Sequence, residues 1–432
     1  MSIPIDKMYH FLQDSSNDNI LIYRWFPYGS KKLADLLPLE DYYVTRPWIE
    51  RMTNLLVLCH DQEPLWYHQF DQQKTYYQHP VTTMQNYIEQ KMSKIRQQLS
   101  ERFNCNDKII IVHSEKNSKE LDAYEQHGFV GVYYWCHALI ARDWYRYAQH
   151  DPLLVDQSQY YKKDFLIYNR AWTGTREYRL KFSELLVHNN LVSNCMVSFC
   201  PNDGDIYYQQ HAFKNKLFAI GNTALENYYS KNTFDPSASA DYVATDYNQV
   251  GIEVVLETLF DDRRHHLTEK TLRPIACGKP FLLASTPGSL KYVRSYGFKT
   301  FSDLIDESYD TIEDPSQRLT AIVNEMKRLS QLPLNEKLKL YSALNNIANY
   351  NKQKFFSDEF FCSIVDEYKT NFAQAAKSVK KFQKGTYWAE SRSLINTDPK
   401  LVNHYNNEPA WTKPTDQELT KFLNTINSIV YQ

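Results

Sequence analysis

The sequence predicts an α/β protein: two open parallel sheets with covering helices, followed by a helical C-terminal extension. Three observations carry this. Short apolar runs recur, each closed by a polar tip: 54–59 before His60-Asp61-Gln62-Glu63-Pro64, 108–113 before Ser114-Glu115, and 130–135 before Cys136-His137. Continuous apolar runs of strand length belong to strands buried on both faces. Stretches with apolar residues three or four apart stand between such runs, as at 82–103. The rhythm then restarts at Phe165, after the polar stretch 151–163. The expected division is 1–160, 161–330 and a helical extension 331–432 that packs on and bridges the other two.

Taken in order, the first part offers strands at 20–23, 54–59, 108–113 and 130–135. The second offers strands at 165–168, 196–199, 252–257 and 279–283, with helices at 177–188, 268–277, 289–296 and 302–306. The polar stretch 201–245 reads as an insertion with one helix. From 314 the chain becomes helical, at 315–331, 335–353 and 357–382, with a last helix at 415–430.

Composition narrows the function classes. In 432 residues, 49 Lys+Arg stand against 51 Asp+Glu, and 43% are hydrophobic, which excludes a disordered chain and a strongly basic nucleic-acid tail. Tyrosine is frequent at 33 and glycine scarce at 11, so aromatic side chains serve cores and can also stack on sugar rings or bases. The seven cysteines form no Cys-x-x-Cys pair, which fits a reducing cytoplasm and supports no zinc site. No apolar run is long enough for a membrane span.

The chemistry concentrates in 254–301. Glu257 falls at the carboxyl end of a buried strand, where open parallel sheets bind ligands. Thr268 precedes a helix with Glu269 and Lys270 in its first turn. A threonine there caps free N–H groups, and those groups, the lysine and the helix dipole favour phosphate. Glu257 or Glu269 can accept the hydroxyls of a ribose. Thr286-Pro287-Gly288-Ser289 opens another helix at the same edge. Arg170 and Arg176 lie just beyond the strand at 165–168. With Lys270 they can neutralise a bound diphosphate. Asp203-Gly204-Asp205 falls in a loop-like segment and is not read as a metal site. On the first sheet, the strand-end residues Glu63, Asp61, Glu115 and His137, in that order, are the candidates for acid–base chemistry.

The series Leu256-Glu257-Thr258, His266-Leu267-Thr268-Glu269-Lys270 and Gly278-Lys279-Pro280-Phe281 resembles the nucleotide-sugar-binding motif of the α1,3-fucosyltransferase family. This chain has Thr258-Leu259 where that family has Asn-Ser. His60-Asp61-Gln62-Glu63-Pro64, Asn169-Arg170-Ala171, Gly297-Phe298-Lys299-Thr300-Phe301 and Asp306-Glu307-Ser308-Tyr309-Asp310 are similar to pieces of phage and large-virus proteins described as glycosyltransferases. The resemblance implies two Rossmann-like domains facing across a cleft, the GT-B arrangement. It implies a nucleotide-diphosphate sugar as donor on the second domain, the acceptor on the first, and no required metal or other cofactor. The expected activity is a metal-independent glycosyltransferase in the cytoplasm, the host's if virus-encoded. Its acceptor is a glycan or, alternatively, hydroxymethylated bases of DNA, for which Arg263, Arg264, Lys369, Lys377, Lys380, Lys381 and Lys384 are candidate cations. A non-catalytic nucleotide-sugar or glycan-binding protein is the other alternative. Donor base and sugar, stereochemistry and oligomeric state are not specified by the sequence.

Overall fold

The computed structural model describes residues 20–24, 55–60, 64–65, 109–126, 128–154, 161–229 and 241–378. The helices expected at 82–103 and 415–430, and the candidate residues Asp61 and Glu63, lie outside them. The fold is mixed α/β with parallel sheets and C-terminal helices. The chain divides into two compact units, 1–139 with 362–432, and 140–361. The division therefore falls at 139/140, ahead of the expected 160/161, and the residues from 331 onward are shared between both units.

The first unit holds strands β1 (Ile20–Arg24), β2 (Leu55–His60), β3 (Ile109–His113) and β4 (Phe129–Tyr133), arranged in chain order and parallel throughout. Every residue of β3 is buried, as its continuous apolar run requires. Helix α1 (Lys119–Gln126) joins β3 to β4 and packs on β4. Gly131 permits that contact: a Cβ there would stand 2.8 Å from a Leu121 methyl. The end of β4 is closed by 362–378 within the same unit. Asn371 donates to the Tyr133 carbonyl at 2.7 Å, and the Trp135 N–H donates to Glu367 at 3.1 Å.

Helix α2 (Cys136–Trp144) carries the chain past the first unit's end. In the second unit follow β5 (Lys163–Tyr168), α3 (Tyr178–His188), β6 (Cys195–Ser198) and a small hairpin, β7 (Asn202–Asp203) with β8 (Ile206–Tyr207). Next come α4 (Ala244–Tyr247), β9 (Val250–Leu256), α5 (Glu269–Cys277), β10 (Phe281–Ala284) and α6 (Ser289–Ser295). The long helices α7 (Pro315–Ser330), α8 (Leu334–Phe356) and α9 (Asp358–Ser378) end the described chain. The strand order is β10-β9-β5-β6, again all parallel. Strand β9 starts at Val250, earlier than expected, because Val250 pairs with Lys163.

Helix α5 contains Pro274, which removes one internal hydrogen bond. The helix stops soon afterwards at Gly278, in the left-handed conformation (φ +67°), where Lys279 N–H donates back to the Pro274 carbonyl at 2.8 Å. The helix expected at 302–306 is replaced by a single turn. There Leu304 and Ile305 both donate to the Phe301 carbonyl, and Phe301 N–H donates to Glu307 at 2.6 Å. Arg142 gathers the carbonyls of Phe355, Phe356 and Ser357 at 2.5, 2.8 and 3.0 Å and so closes the end of α8.

The amino edge of the second sheet is pinned by α8. Tyr341 and Lys337 both donate to Asp164 in β5, at 2.7 and 2.9 Å. The Tyr341 ring lies directly over Gly251 of β9, in the space a Cβ would need. Gly251→Ala is therefore expected to destabilise the protein by about 1–3 kcal/mol. Chemical denaturation measures it, and an unchanged midpoint would show that α8 does not seat on the sheet this way.

Candidate functional site at the carboxyl edge of the second sheet

From β5 the chain goes to β6 on one side, then crosses to β9 and β10 on the other. The strand order thus reverses between β5 and β9, and ligands of open parallel sheets sit outside the carboxyl ends at such a point. The registers Leu166↔Glu253 and Ala284↔Leu256 bring three strand ends to this edge: Asn169-Arg170, Glu257-Thr258 and Ser285-Thr286. Arg170 is exposed there and Arg176 half-buried.

The loop bearing both arginines is held from the β7–β8 hairpin. Asp203 accepts from Trp172 N–H at 2.8 Å and from Thr173 N–H and Oγ–H at 2.7 Å. Burial opposes its ionisation, but these hydrogen bonds and the nearby Arg176 charge hold its carboxyl below the usual range. Gly204 turns the hairpin at φ +60° and Asp205 faces solvent. The Asp-Gly-Asp segment is thus a loop clamp. Among the described residues no group of three or more His, Cys, Asp or Glu side chains is placed to hold a metal ion.

Glu257, Thr268, Glu269 and Lys270 come together, in a geometry different from an open ribose site. Glu257 is fully buried. Its carboxylate accepts from Thr268 N–H (3.0 Å) and Oγ–H (2.9 Å), from Thr271 N–H (3.2 Å) and Oγ–H (2.6 Å), and from its neighbour Thr258 N–H (3.1 Å). It is itself the anion at the N-terminus of α5, the place that the sequence offers to a phosphate. Thr268 Oγ also accepts from Lys270 N–H at 3.2 Å, the expected cap. Lys270 Nζ stands 2.6 Å from the Glu269 carboxylate, with the lysine side chain 23% exposed.

The start of α6 repeats the pattern. Thr286 Oγ–H donates to the Arg264 carbonyl at 3.0 Å, and Gly288, at φ +79°, donates its N–H to the Asp310 carbonyl at 2.7 Å. The Asp310 carboxylate takes the Leu290 N–H at 3.1 Å. Both helix starts are thus closed by the chain's own carboxylates. Arg170 and Arg176, with Lys270 beside Glu269, are the cationic residues that the sequence assigns to this edge.

Beneath them lies a residue with no role in the sequence-based reading. Arg179 of α3 is 2% exposed and donates to the carbonyls of Ala171 (2.6 Å), Leu256 (2.5 Å) and Glu257 (3.1 Å). It ties the loop after β5 to the end of β9, the two sides of the switch point. Burial lowers its pKa, and Arg176 beside it lowers it further. Its Nε, and Oδ1 of the buried Asn169, have no hydrogen-bond partner. Tyr178 Oη–H adds a bond to the Glu257 carbonyl at 2.7 Å. The available signal was the arginine spacing: Arg176 and Arg179 are three apart across a helix start.

In the first unit, Glu115 is 2% exposed and committed to structure. Its carboxylate accepts from Leu65 N–H and Ser118 Oγ–H, both at 2.5 Å, linking the segment after β2 to the loop after β3. His137 is buried in the first turn of α2. No described helix is long and apolar enough to cross a membrane. In comparisons with protein-family models, curated proteins and solved structures, nothing matches this chain.

Proposed function

We propose that the carboxyl edge of the β10-β9-β5-β6 sheet binds a nucleotide-diphosphate sugar, and that the protein is a glycosyltransferase moving the sugar to an acceptor hydroxyl. The observation that carries this reading is the loop 169–176, which sets Arg170 and Arg176 at the switch point between β5 and β9. Guanidinium groups pair with phosphate oxygens through parallel hydrogen bonds. A diphosphate leaving group develops charge as the glycosidic bond breaks, and cations fixed in place stabilise it. In this reading the diphosphate lies on Arg170, Arg176 and Lys270. Glu257, Thr268, Thr286 and Gly288 shape the floor and make no ligand contact. Arg179 positions the arginine loop from below.

Lys270 has to exchange its Glu269 partner for the phosphate. Lys270→Ala is accordingly expected to weaken nucleoside-diphosphate binding about 10-fold and nucleoside binding little. Thermal shift with UDP, GDP, uridine and guanosine, with and without Mg²⁺, reads this directly, because a ligand that binds only the folded state raises the apparent stability. No stabilisation by either diphosphate would remove the reading. For the acceptor side we assign the general base to Glu63, since Glu115 already holds Leu65 and Ser118. With an acceptor in hand, Glu63→Gln is expected to lower turnover by about 10²–10⁴-fold with donor affinity unchanged. Unchanged turnover would remove Glu63 from that role.

A further inference from the structure

A second concavity in the 140–361 unit lies around the outer strand β6, with a volume of about 410 Å³. That is within the usual range of a small-molecule site. Its walls combine three aromatic rings, Tyr168, Tyr228 and Tyr229, with the aliphatic surface of Val192, Met196 and Val197. One acidic group, Asp246, faces it, and no lysine, arginine or histidine is among the described residues that line it.

The chemistry of this lining is selective. Asp246 accepts from Tyr168 Oη–H at 2.9 Å through Oδ2. That bond engages Oδ2 and holds the carboxylate in place. Besides Asp246, Tyr168 has the Arg273 guanidinium over its ring, 4.3 Å from the centroid. Arg273 is itself paired with Glu253 at 2.6 Å, so its charge is already met inside the protein. Among the described residues of the walls, Asp246 thus carries a negative charge with no lining cation to match it. Aromatic faces add to that preference, since their quadrupole attracts cations. An anionic ligand meets repulsion here, and a neutral apolar one leaves the carboxylate poorly solvated.

We infer that this cavity binds a small organic ammonium ion, the N–H groups donating to Asp246 and an apolar or aromatic body lying on the tyrosines and Met196. Tyr228, 53% exposed, forms the outer wall and covers the ligand. The site is independent of the donor reading, because it uses none of the arginines of loop 169–176.

Calorimetric titration of the full-length chain with 2-phenylethylammonium and with its neutral counterpart 2-phenylethanol tests this. The amine is expected to bind at least about 10-fold tighter than the alcohol, the ratio one charge-assisted hydrogen bond provides. Asp246→Asn should abolish that ratio, while the asparagine oxygen still accepts from Tyr168 and keeps the fold. Tyr228→Ala, at an exposed position that folding does not need, should weaken the amine by a similar factor with the unfolding midpoint unchanged. Equal affinity for amine and alcohol overturns the inference, as does binding of neither. Preferential binding of guanosine, reduced by Asp246→Asn, overturns it too, because neutral N–H donors would then be what the carboxylate reads.

Discussion

Glu257→Leu is expected to destabilise the protein by about 3–5 kcal/mol, because it strands buried donors at the start of α5. The leucine leaves the N–H groups of Thr268 and Thr271 and their two hydroxyls without the carboxylate that now receives all four. The site is fully buried, so water does not replace it. Glu257→Gln should also cost stability, since its amide NH₂ faces donors where a carboxylate oxygen accepted. Urea denaturation measures both. A loss below about 1 kcal/mol would mean that the carboxylate is not the anchor of this helix and would return it to the candidates for ligand contact.

Glu253→Leu is expected to cost about 3–5 kcal/mol, and the double variant Glu253→Leu/Arg273→Met markedly less. Glu253 and Arg273 are 1% and 5% exposed and lie 2.6 Å apart. Tyr247 joins them, donating to Glu253 and accepting from Arg273 Nε–H at 3.1 Å. Burial by itself lowers an arginine's pKa, yet Glu253 and the surrounding phenols hold Arg273 well above its ordinary value. Removing only the acid leaves that charge buried and unpaired, whereas removing both leaves no buried charge and only the Tyr247 hydroxyl to be satisfied anew. A four-variant denaturation cycle gives the coupling. Additive losses would show that the two groups are solvated separately and that α5 is not fastened to β9 through them.

The strands were legible because burial on both faces writes itself as an unbroken apolar run, as in β3 and β10. The gathering of Glu257, Thr268 and Lys270 at one strand end was legible for the same reason: position along a parallel strand fixes the edge. Direction was not. Nothing in the order of residues says whether Glu257 turns outward to a ligand or back onto the N–H groups of α5, and only the placement of Thr271 one turn further on decides it. Arg179 was hidden by its type, since an arginine in a first helical turn is ordinarily exposed and this one is buried. The cavity at β6 joins residues 166–168, 192, 195–198, 228–229 and 246, a juxtaposition made by tertiary packing and absent from any local pattern. The turn at 302–306 reads as a helix locally, but Glu307 and Glu325 take the Phe301 and Asp306 N–H groups and bend the chain away.

The most direct measurement of the central proposal is a calorimetric titration of Arg170→Ala/Arg176→Ala with GDP, UDP and their nucleosides, beside the unaltered protein. Arg170 is exposed and Arg176 half-buried near Asp203, so the unfolding midpoint of the double variant is measured alongside. The account predicts that a nucleoside diphosphate binds the unaltered protein and that the variant loses at least about 100-fold in that affinity, two charge-assisted contacts being removed. The affinity of the matching nucleoside stays within a factor of about two or three. An unaltered protein that binds neither diphosphate, or a variant that binds it as tightly as before, would contradict the assignment of this edge to a nucleotide-sugar donor.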